Sequence, residues 1–371
     1  MVKPLTDPNE APRILIAASG TGGHLFPALY IALAFQRADP RARIAFIGSG
    51  RPLEAKLIDS RGYTRHVIRT VGVMNRGLRG VVEYLLTVPL AVLETQRILR
   101  QFSPHIVIGV GGYVSVWPVV LGRLGGAFTW IHEGELKPGL ANWLLSLVAH
   151  RTSIAFEQAR MPSWARVVYT GHPVRPELRD LSCDWERGAV PRRLLVMGGS
   201  QGAQAIDEAC EALSAKFISW GFEIMHQTRP ENVDRLKASY EKAGVKASVL
   251  PFIDDLARAF EWCDLVLSRA GAGAVMELGV VNKPAILVPY PHAQGNHQLA
   301  NARTLCDAGK ALIVEQGSDF ELRLSKALEQ LRDPSEYAAF LSRPGVTRST
   351  SAADEIVRNC LKLRGLHTPR K

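Results

Sequence analysis

The feature that most restricts the fold of this chain is a pattern that occurs twice. In the first copy, the apolar run Arg13–Ala18 is followed by the glycine-rich turn Ser19–His24 and by a helical pattern of apolar residues. In the second copy, the run Arg192–Met197 is followed by the turn Gly198–Ala203 and by another helical pattern. Each copy predicts a buried strand, a glycine turn and the N-terminus of a helix.

Both copies open a series of short apolar segments that alternate with helical ones, which is typical of parallel sheets covered by helices on both faces. With 371 residues the chain is long enough for two such domains. We therefore predict an α/β protein made of two Rossmann-like parallel-sheet domains that face a cleft. The further candidate strands are Ile44–Ile47, Ile106–Val110, Thr129–Ile131, Phe222–Gln227, Ser248–Pro251, Leu265–Ser268 and Ala285–Pro289.

The boundary between the two domains is expected in the segment Gly171–Pro176, because two prolines there interrupt regular structure. This interpretation places the first domain in residues 1–172 and the second in residues 173–345. The remaining segment, 346–371, contains the helical pattern Ser351–Leu363, which is expected to pack back on the first domain.

Charge and apolar patterning limit the partners. The formal net charge of +10 favours anionic partners, but no aromatic and basic motif supports nucleic-acid binding, so none is predicted. The polar segment Met1–Pro12 lacks the apolar part of a secretory signal. The longest apolar stretch, Val81–Leu93, is shorter than the roughly 20 residues that a spanning helix needs. The chain is expected to be soluble or to lie on a membrane without crossing it.

His24 is the first candidate for chemistry, because it follows the glycines of the first turn and is expected at the carboxyl ends of the strands. Glycines let a ligand approach the backbone closely, and the helix N-terminus that follows favours an anion. A histidine that caps the helix or fills the core is an equally frequent explanation.

In the second half, polar groups also follow predicted strands. The turn Gly198–Ala203 offers amides, a hydroxyl and a carboxamide, which suit a diphosphate. The turn Arg269–Ala274 is followed by Glu277, whose carboxylate can accept two hydrogen bonds from a ribose diol. Taken alone, a glutamate on a helix is more often simply solvated.

In the first half, two more predicted strands end in unusual residues. Ile106–Val110 runs into the turn Gly111–Ser115, and the strand at Ile131 continues into His132 and Glu133. Together with His24, three strand ends of one domain carry glycine, histidine or glutamate. A purely structural domain does not need this at all three.

In this order, the motifs resemble the MurG family of UDP-N-acetylglucosamine:lipid I N-acetylglucosaminyltransferases, which have the GT-B fold. The matching segments cover nearly the whole chain: Thr21–Ala28, Gly111–Ser115, Ile131–Glu133, Pro138–Asn142, Gly171–Arg175, Gly198–Ala203, His226–Thr228, Phe252–Asp255 and His297–Ala302. The resemblance implies an inverting transfer of N-acetylglucosamine from UDP-GlcNAc to the 4-hydroxyl of undecaprenyl-pyrophosphoryl-MurNAc-pentapeptide (lipid I), giving lipid II. It also implies a role in peptidoglycan synthesis, and with it in cell shape and cell division.

The resemblance further implies roles for individual residues. The donor UDP-GlcNAc is assigned to Thr21, Gly22, Gly23, Glu135, Arg175, Ser200, Gln201, Phe252, Ile253, Ala272, Gly273, Ala274, Glu277, His297 and Gln298. Within this set, Phe252 and Ile253 are expected to bracket the uracil, and Glu277 to hold the ribose. The lipid-linked MurNAc-peptide acceptor is assigned to Gly111, Gly112, Tyr113, Ser115 and Asn142, with its diphosphate near Gly20–His24.

For catalysis, we predict that His24 is the general base and that Glu133 is the second candidate. A sugar hydroxyl is a weak nucleophile, and neutral imidazole is available at pH 7. Helix N-termini and Arg175 are expected to stabilise the leaving diphosphate. No Asp-x-Asp motif follows a strand, and Asp254-Asp255 is predicted to begin a helix. We therefore predict no metal ion and no other cofactor.

The sequence departs from the family pattern at several positions. Gly134 and Glu135 stand where the family usually has Gln-Asn. His172 stands in place of an asparagine, and Arg229 in place of a glycine. Val116-Trp117 adds one residue to the loop after Ser115.

A possible membrane contact lies between residues 69 and 100. The apolar residues Leu78, Val82, Leu85, Leu86 and Leu93 recur at helical spacing among Arg69, Arg76, Arg79, Arg97 and Arg100. This pattern suits a helix on an anionic membrane surface, and equally an ordinary core helix with a basic flank. Pro89 is expected to kink or end the helix. The resemblance implies a peripheral enzyme on the cytoplasmic face of the bacterial plasma membrane.

Two other functions stay open at the level of sequence. One is a UDP-sugar transferase of the same fold that acts on another glycolipid. The other is a nucleotide-sugar binding protein without catalytic activity.

Overall fold

The structure, a computed structural model, describes residues 10–20, 22–70, 77–179, 181, 190–199, 202–293, 296–343 and 352–363. The chain divides into two compact units between Val174 and Arg175, and the last helix belongs to the first unit. Each unit contains one sheet, and every strand pair in both sheets is parallel.

The first unit contains a seven-stranded sheet in the order β3-β2-β1-β4-β5-β6-β7. Its strands are β1 (Arg13–Ala17), β2 (Arg43–Gly48), β3 (Thr64–Val67), β4 (Ile106–Gly109), β5 (Phe128–Glu133), β6 (Arg151–Ile154) and β7 (Val167–Tyr169). The strand order reverses between β1 and β4, where a Rossmann-like sheet leaves a crevice for a ligand. The central strands β1 and β4 are buried along almost their whole length, which explains their uninterrupted apolar sequences.

The second unit repeats this topology in a six-stranded sheet of order β10-β9-β8-β11-β12-β13. Its strands are β8 (Arg193–Met197), β9 (Glu223–Gln227), β10 (Ala247–Leu250), β11 (Leu265–Arg269), β12 (Ala285–Val288) and β13 (Ala311–Ile313). The reversal lies between β8 and β11. The prediction of two Rossmann-like α/β domains is therefore confirmed.

Helices connect the strands. Those of the first unit are α1 (Gly22–Ala38), α2 (Pro52–Ile58), α3 (Gly77–Phe102), α4 (Val116–Leu124), α5 (Leu140–Leu145) and α14 (Ala352–Leu363). Those of the second are α6 (Gln204–Ala212), α7 (Ser214–Trp220), α8 (Val233–Ala243), α9 (Leu256–Trp262), α10 (Ala272–Val281), α11 (His297–Asp307), α12 (Phe320–Leu331) and α13 (Pro334–Ser342).

Two helices differ from what their sequences predicted. Helix α1 begins at Gly22, so Gly22, Gly23 and His24 form its first turn instead of a loop before it. Helix α3 continues through Pro89 to Phe102, so the proline does not end the helix. In the part of the chain that the structure describes, no helix combines the length and the apolar character needed to cross a membrane.

The C-terminal helix α14 packs on α1. Its residues Ala353, Ile356, Val357 and Cys360 are buried in the same apolar cluster as Leu25, Leu29 and Phe35 of α1. An ion pair joins Arg37 and Asp354 at 2.7 Å. The last helix thus completes the core of the first unit.

Candidate functional site

His24 lies at the carboxyl end of β1, in the first turn of α1. Its Nδ1 atom is 3.1 Å from the carbonyl oxygen of Ser19. A carbonyl oxygen can only accept, so Nδ1 carries the proton and Nε2 keeps a lone pair. The imidazole is therefore held in the tautomer that can take a proton at Nε2.

The position of Ser19 depends on a buried carboxylate. Its hydroxyl lies 2.6 Å from that of Ser49, which donates to Glu54 at 2.8 Å. Glu54 is fully buried and also accepts from the backbone N–H of Gly50. This link between the ends of β1 and β2 fixes the carbonyl that orients His24.

The turn after β4 packs directly on the imidazole. A Cβ atom added to Gly111 would lie 2.9 Å from Nε2 of His24, and the φ angle of Gly111 is +95°. Only glycine combines this backbone conformation with so close an approach. The structure thus brings together two of the motifs singled out in the sequence, His24 and Gly111-Gly112.

Ser115, predicted to contact the acceptor, is fully buried behind this turn. Its hydroxyl lies 2.8 Å from the carbonyl oxygen of Gly111 and 3.0 Å from that of Ala17. Ser115 therefore holds the turn against β1. Tyr113 begins the short 3-10 helix that contains Ser115, and its ring packs on that of Tyr84 in α3.

Burial lowers the pKa of His24 below its usual value, whereas the Ser19 hydrogen bond and the negative charge of Glu135 oppose this shift. The imidazole is consequently neutral at pH 7. The electrostatic contact with Glu135 would favour the imidazolium form once a proton is taken up.

Glu133, the second candidate base, lies at the end of β5 and is 3% exposed. One carboxylate oxygen accepts from the N–H of Glu135, and the other accepts from the N–H of Gly139 and from the side chain of Asn142. Burial raises the pKa of Glu133 to about 7, against these hydrogen bonds. Through these hydrogen bonds, the carboxylate holds the turn that follows β5 in place.

Asn142, predicted to contact the acceptor, is buried in the same turn. Its side-chain amide donates to the carbonyl oxygen of His132 and to Glu133. Its Oδ1 atom has no hydrogen-bond partner among the described residues. This acceptor atom is thus available to a ligand group that donates.

His172 joins this part of the first unit although sequence reasoning gave it no role. Its Nδ1 atom lies 3.1 Å from Nε2 of His132, and both side chains are buried. The signal that could have found it is the short strand β7, since residues that follow parallel strands meet at one edge of a sheet. That strand was not predicted.

In the second unit, the glycine turn after β8 leads into α6. Its predicted ligands Ser200 and Gln201, like Thr21 in the first unit, lie outside the described residues. Beside it, Asp207 of α6 is fully buried and accepts from Thr228 at 2.6 Å and from Asn232 at 2.9 Å. His226 adds a third contact at 3.1 Å. This network fixes the first helix of the unit against β9.

Arg175 and Glu277, both predicted to bind the donor, form an ion pair with an Nε–Oε1 distance of 3.2 Å. Burial raises the pKa of Glu277, and the guanidinium of Arg175 opposes that shift. Ala272, Gly273 and Ala274 form the first turn of α10, so their N–H groups are among those that a helix leaves without an internal partner. A charged pair and free amides therefore lie near one helix N-terminus.

The remaining predicted donor residues lie on loops of the same unit. Phe252 is partly exposed and Ile253 is buried, just before α9. Asp255 caps α9 by accepting from the N–H of Arg258, which confirms that Asp254-Asp255 begins a helix. His297 opens α11, and Oε1 of the neighbouring Gln298 accepts from the N–H of Tyr290 at 2.9 Å.

Among the residues that the structure describes, no group of three or more His, Cys, Asp or Glu side chains is arranged to hold a metal ion.

Comparisons with known proteins agree with this arrangement. Residues 14–154 match the glycosyltransferase family 28 N-terminal domain, and residues 193–356 match the C-terminal domain of that family. A curated relative from Nitratidesulfovibrio vulgaris is 42% identical over 317 residues, 82% of each chain. It is named UDP-N-acetylglucosamine–N-acetylmuramyl-(pentapeptide) pyrophosphoryl-undecaprenol N-acetylglucosamine transferase. The chain belongs to the MurG family.

Two further MurG-family comparisons cover nearly the full length. A relative of the same name from Acidithiobacillus ferrooxidans is 37% identical over 360 residues, covering 96% of this chain and 99% of its own. The crystal structure of Acinetobacter baumannii MurG superposes with a TM-score of 0.72 and 27% identity, covering 94% of this chain and all of the other. This MurG-family chain is therefore a glycosyltransferase with the GT-B fold.

Proposed function

We propose that this chain transfers N-acetylglucosamine from UDP-N-acetylglucosamine to the 4-hydroxyl of the N-acetylmuramyl group of lipid I, which gives lipid II for peptidoglycan synthesis. The acceptor hydroxyl attacks the anomeric carbon, the C–O bond to the diphosphate breaks, and UDP leaves with the electron pair. The configuration at the anomeric carbon is inverted. The names of the curated relatives support this choice of donor and acceptor.

The observation that carries the proposal is the orientation of His24. Its Nδ1 proton is bound to Ser19, and its Nε2 lone pair lies beside the glycine turn after β4. A neutral imidazole fixed in this way can remove the proton from a weakly nucleophilic hydroxyl as the new bond forms. General base catalysis of this kind contributes roughly 10²–10⁴-fold to a rate.

The second unit supplies the donor site in this proposal. The free amides in the first turn of α10 would receive the charge that develops on the leaving diphosphate, and Arg175 would add a guanidinium. Glu277 would accept hydrogen bonds from the ribose hydroxyls, and the guanidinium of Arg175 favours the ionised carboxylate against the effect of burial.

We also place the enzyme on the cytoplasmic face of the plasma membrane, where it would serve cell-wall growth, cell shape and division. Helix α3 supports this part of the proposal. Val82, Leu86, Leu90 and Leu93 are exposed by 54%, 75%, 37% and 62%. They share one helical face with the exposed Arg97 and Arg100. Apolar side chains followed by arginines suit an anionic lipid surface.

The decisive experiment is a transfer assay with labelled UDP-N-acetylglucosamine and a short-chain lipid I analogue. We expect the wild type to form the labelled disaccharide-lipid, and His24→Ala to lower kcat by about 100-fold or more. His66→Ala, which changes a histidine on the edge strand β3, is the matched control and should retain activity. Wild-type turnover in the His24 variant would remove this residue from the mechanism.

The pH dependence of kcat/KM gives a second test of the role of His24. Only the neutral imidazole can act as base, and burial lowers the pKa of His24. We expect kcat/KM of the wild type to be level at pH 7 and to fall only as the pH drops below 6.5. An acidic limb that persists unchanged in the His24 variant would assign it to another group.

A further inference from the structure

Three buried side chains of the first unit form a hydrogen-bonded series behind the site. Nε1 of Trp130, which can only donate, lies 2.8 Å from the hydroxyl of Ser153. That hydroxyl lies 3.0 Å from Nδ1 of His132, and Nε2 of His132 lies 3.1 Å from Nδ1 of His172. Ser153, His132 and His172 are all at most 2% exposed. We refer to these three residues as the Ser153 relay.

Among the residues that the structure describes, the far end of the relay has no partner. Nε2 of His172 is buried and makes no hydrogen bond within the described part of the chain. Leaving a buried nitrogen without a partner is unfavourable, and a ligand group that pairs with it on binding would remove this cost. The other nitrogen atoms of the two histidines are all paired, so this one atom is where the relay can interact with something else.

The relay can present this atom in two ways. If Ser153 donates to His132, then His132 donates to His172, and Nε2 of His172 carries a proton. If instead His172 donates to His132 and His132 to Ser153, the Ser153 hydroxyl can turn to the carbonyl oxygen of Ile131, 3.3 Å away. Nε2 of His172 then accepts. A hydroxyl group, which both donates and accepts, matches either state.

Two features describe the surroundings of the His172 ring. Burial lowers the pKa of His172 to about 3, and the positive charge that His24 carries when protonated contributes to this shift. His172 is therefore neutral at pH 7, as the relay requires, and its ring is electrostatically coupled to His24. Gly134 leaves room for the ring, because a Cβ atom there would lie 3.1 Å from Cε1 of His172.

We propose that His172 is a further substrate-recognition residue, whose Nε2 atom binds a hydroxyl group of the acceptor sugar close to the attacking hydroxyl. Ser153 and His132 are positioning residues that decide whether this atom donates or accepts. This inference rests on the proposed function, because it takes the sugar near His24 to be the acceptor.

Two substitutions separate recognition from a structural role. In His172→Asn the side-chain amide can replace Nδ1 and keep the contact with His132, but nothing replaces Nε2. In His172→Gln the amide reaches the position of Nε2 and gives up the contact with His132. If Nε2 binds the acceptor, H172N should raise the acceptor KM about 5- to 10-fold, as for one lost hydrogen bond, and H172Q should raise it less. The donor KM should change in neither.

A purely structural role predicts the opposite order, with H172N close to the wild type and H172Q impaired. An unchanged acceptor KM in H172N overturns the proposal. His150→Asn is the control for the loss of a buried histidine, since both nitrogens of His150 already have partners in Thr129 and Arg123. It should lower Tm without changing the acceptor KM.

Gly134→Ala tests the position of the ring without altering its chemistry. The added methyl group should raise the acceptor KM in the protein that retains His172, and it should have little further effect in the H172N variant. Equal effects of the methyl in both backgrounds would contradict the proposed geometry.

Equilibrium binding of the acceptor analogue to the same variants separates this inference from the proposed function. If the wild type binds the analogue without transferring sugar, and H172N weakens that binding, the proposed transfer reaction is contradicted and the proposed role of His172 is supported. If the wild type transfers sugar and H172N binds normally, only the His172 inference fails. If the wild type neither binds nor transfers, both fail.

Discussion

The proposed base, His24, is held in place by residues that are not themselves proposed to bind a substrate. Ser19 fixes the tautomer of His24 through its carbonyl oxygen, and Glu54 fixes Ser19 through Ser49. Both carboxylate oxygens of Glu133 accept hydrogen bonds from the turn after β5. Its assignment as a second base stays a prediction, and its contacts favour a positioning role.

The most demanding single position is Gly111. In Gly111→Ala the new methyl would meet Nε2 of His24 at 2.9 Å, on a backbone with φ +95°. We expect kcat to fall at least 10-fold, because the imidazole must move from its place, together with a loss of about 1–2 kcal/mol of stability from the left-handed backbone. The measurement is kcat beside the free energy of unfolding in urea.

Gly62→Ala is the matched control for the stability that is lost when alanine takes a left-handed backbone conformation. Gly62 also has a positive φ, +74°, but nothing lies within 4 Å of an added Cβ atom. It should cost similar stability and leave kcat unchanged. If both variants lost activity in proportion to their stability, the contact between Gly111 and His24 would have no catalytic meaning.

At the scale of elements, the length and the apolar character of the local sequence decided which strands could be predicted. The buried central strands β1, β4, β8 and β11 were all predicted from their apolar runs. The strands β3, β6, β7 and β13 were missed, because each has only three or four residues and β3 and β6 are also rich in polar residues. Helix α3 was expected to kink or end at Pro89, and it does not end there, because it continues to Phe102.

The exposed face of α3 leads to a prediction about membranes. Leu86→Glu combined with Leu93→Glu should lower binding to vesicles of anionic phospholipid at least 10-fold, since burying one leucine is worth about 1.5–3 kcal/mol. Leu322→Glu is the control, because Leu322 of α12 is 56% exposed on the second unit. Cosedimentation with vesicles measures the binding. Equal losses per added negative charge in the two proteins would point to net charge alone.

At the scale of the molecule, two units of the same topology have separate cores, and the last helix returns to the first. Ile356 of α14 is fully buried in the cluster that surrounds α1. The proposed division of functions, with the acceptor on the first unit and the uridine of the donor on the second, predicts that a change in the stability of the first unit leaves nucleotide binding intact.

Ile356→Ala tests this division. Loss of a buried isoleucine side chain should cost about 2–5 kcal/mol in the first unit. Affinity for UDP, measured by titration calorimetry, should persist because the predicted donor residues from Arg175 to Gln298 belong to the second unit. Arg358→Ala, at an exposed position of the same helix, should change neither. Loss of UDP affinity with an intact first unit would contradict the division.

The sequence by itself determined the two α/β units, their central strands and the family. Buried parallel strands and glycine turns produce local sequence patterns that can be recognised without knowing any tertiary contact. It also identified His24, Gly111 and Glu277 as candidates. Only the tertiary structure decided that Glu133 is engaged with the backbone, that Arg175 pairs with Glu277, and that His172 joins His132. These facts depend on contacts between residues 40 to 102 positions apart, or on hydrogen-bond directions inside a turn, which no local pattern encodes.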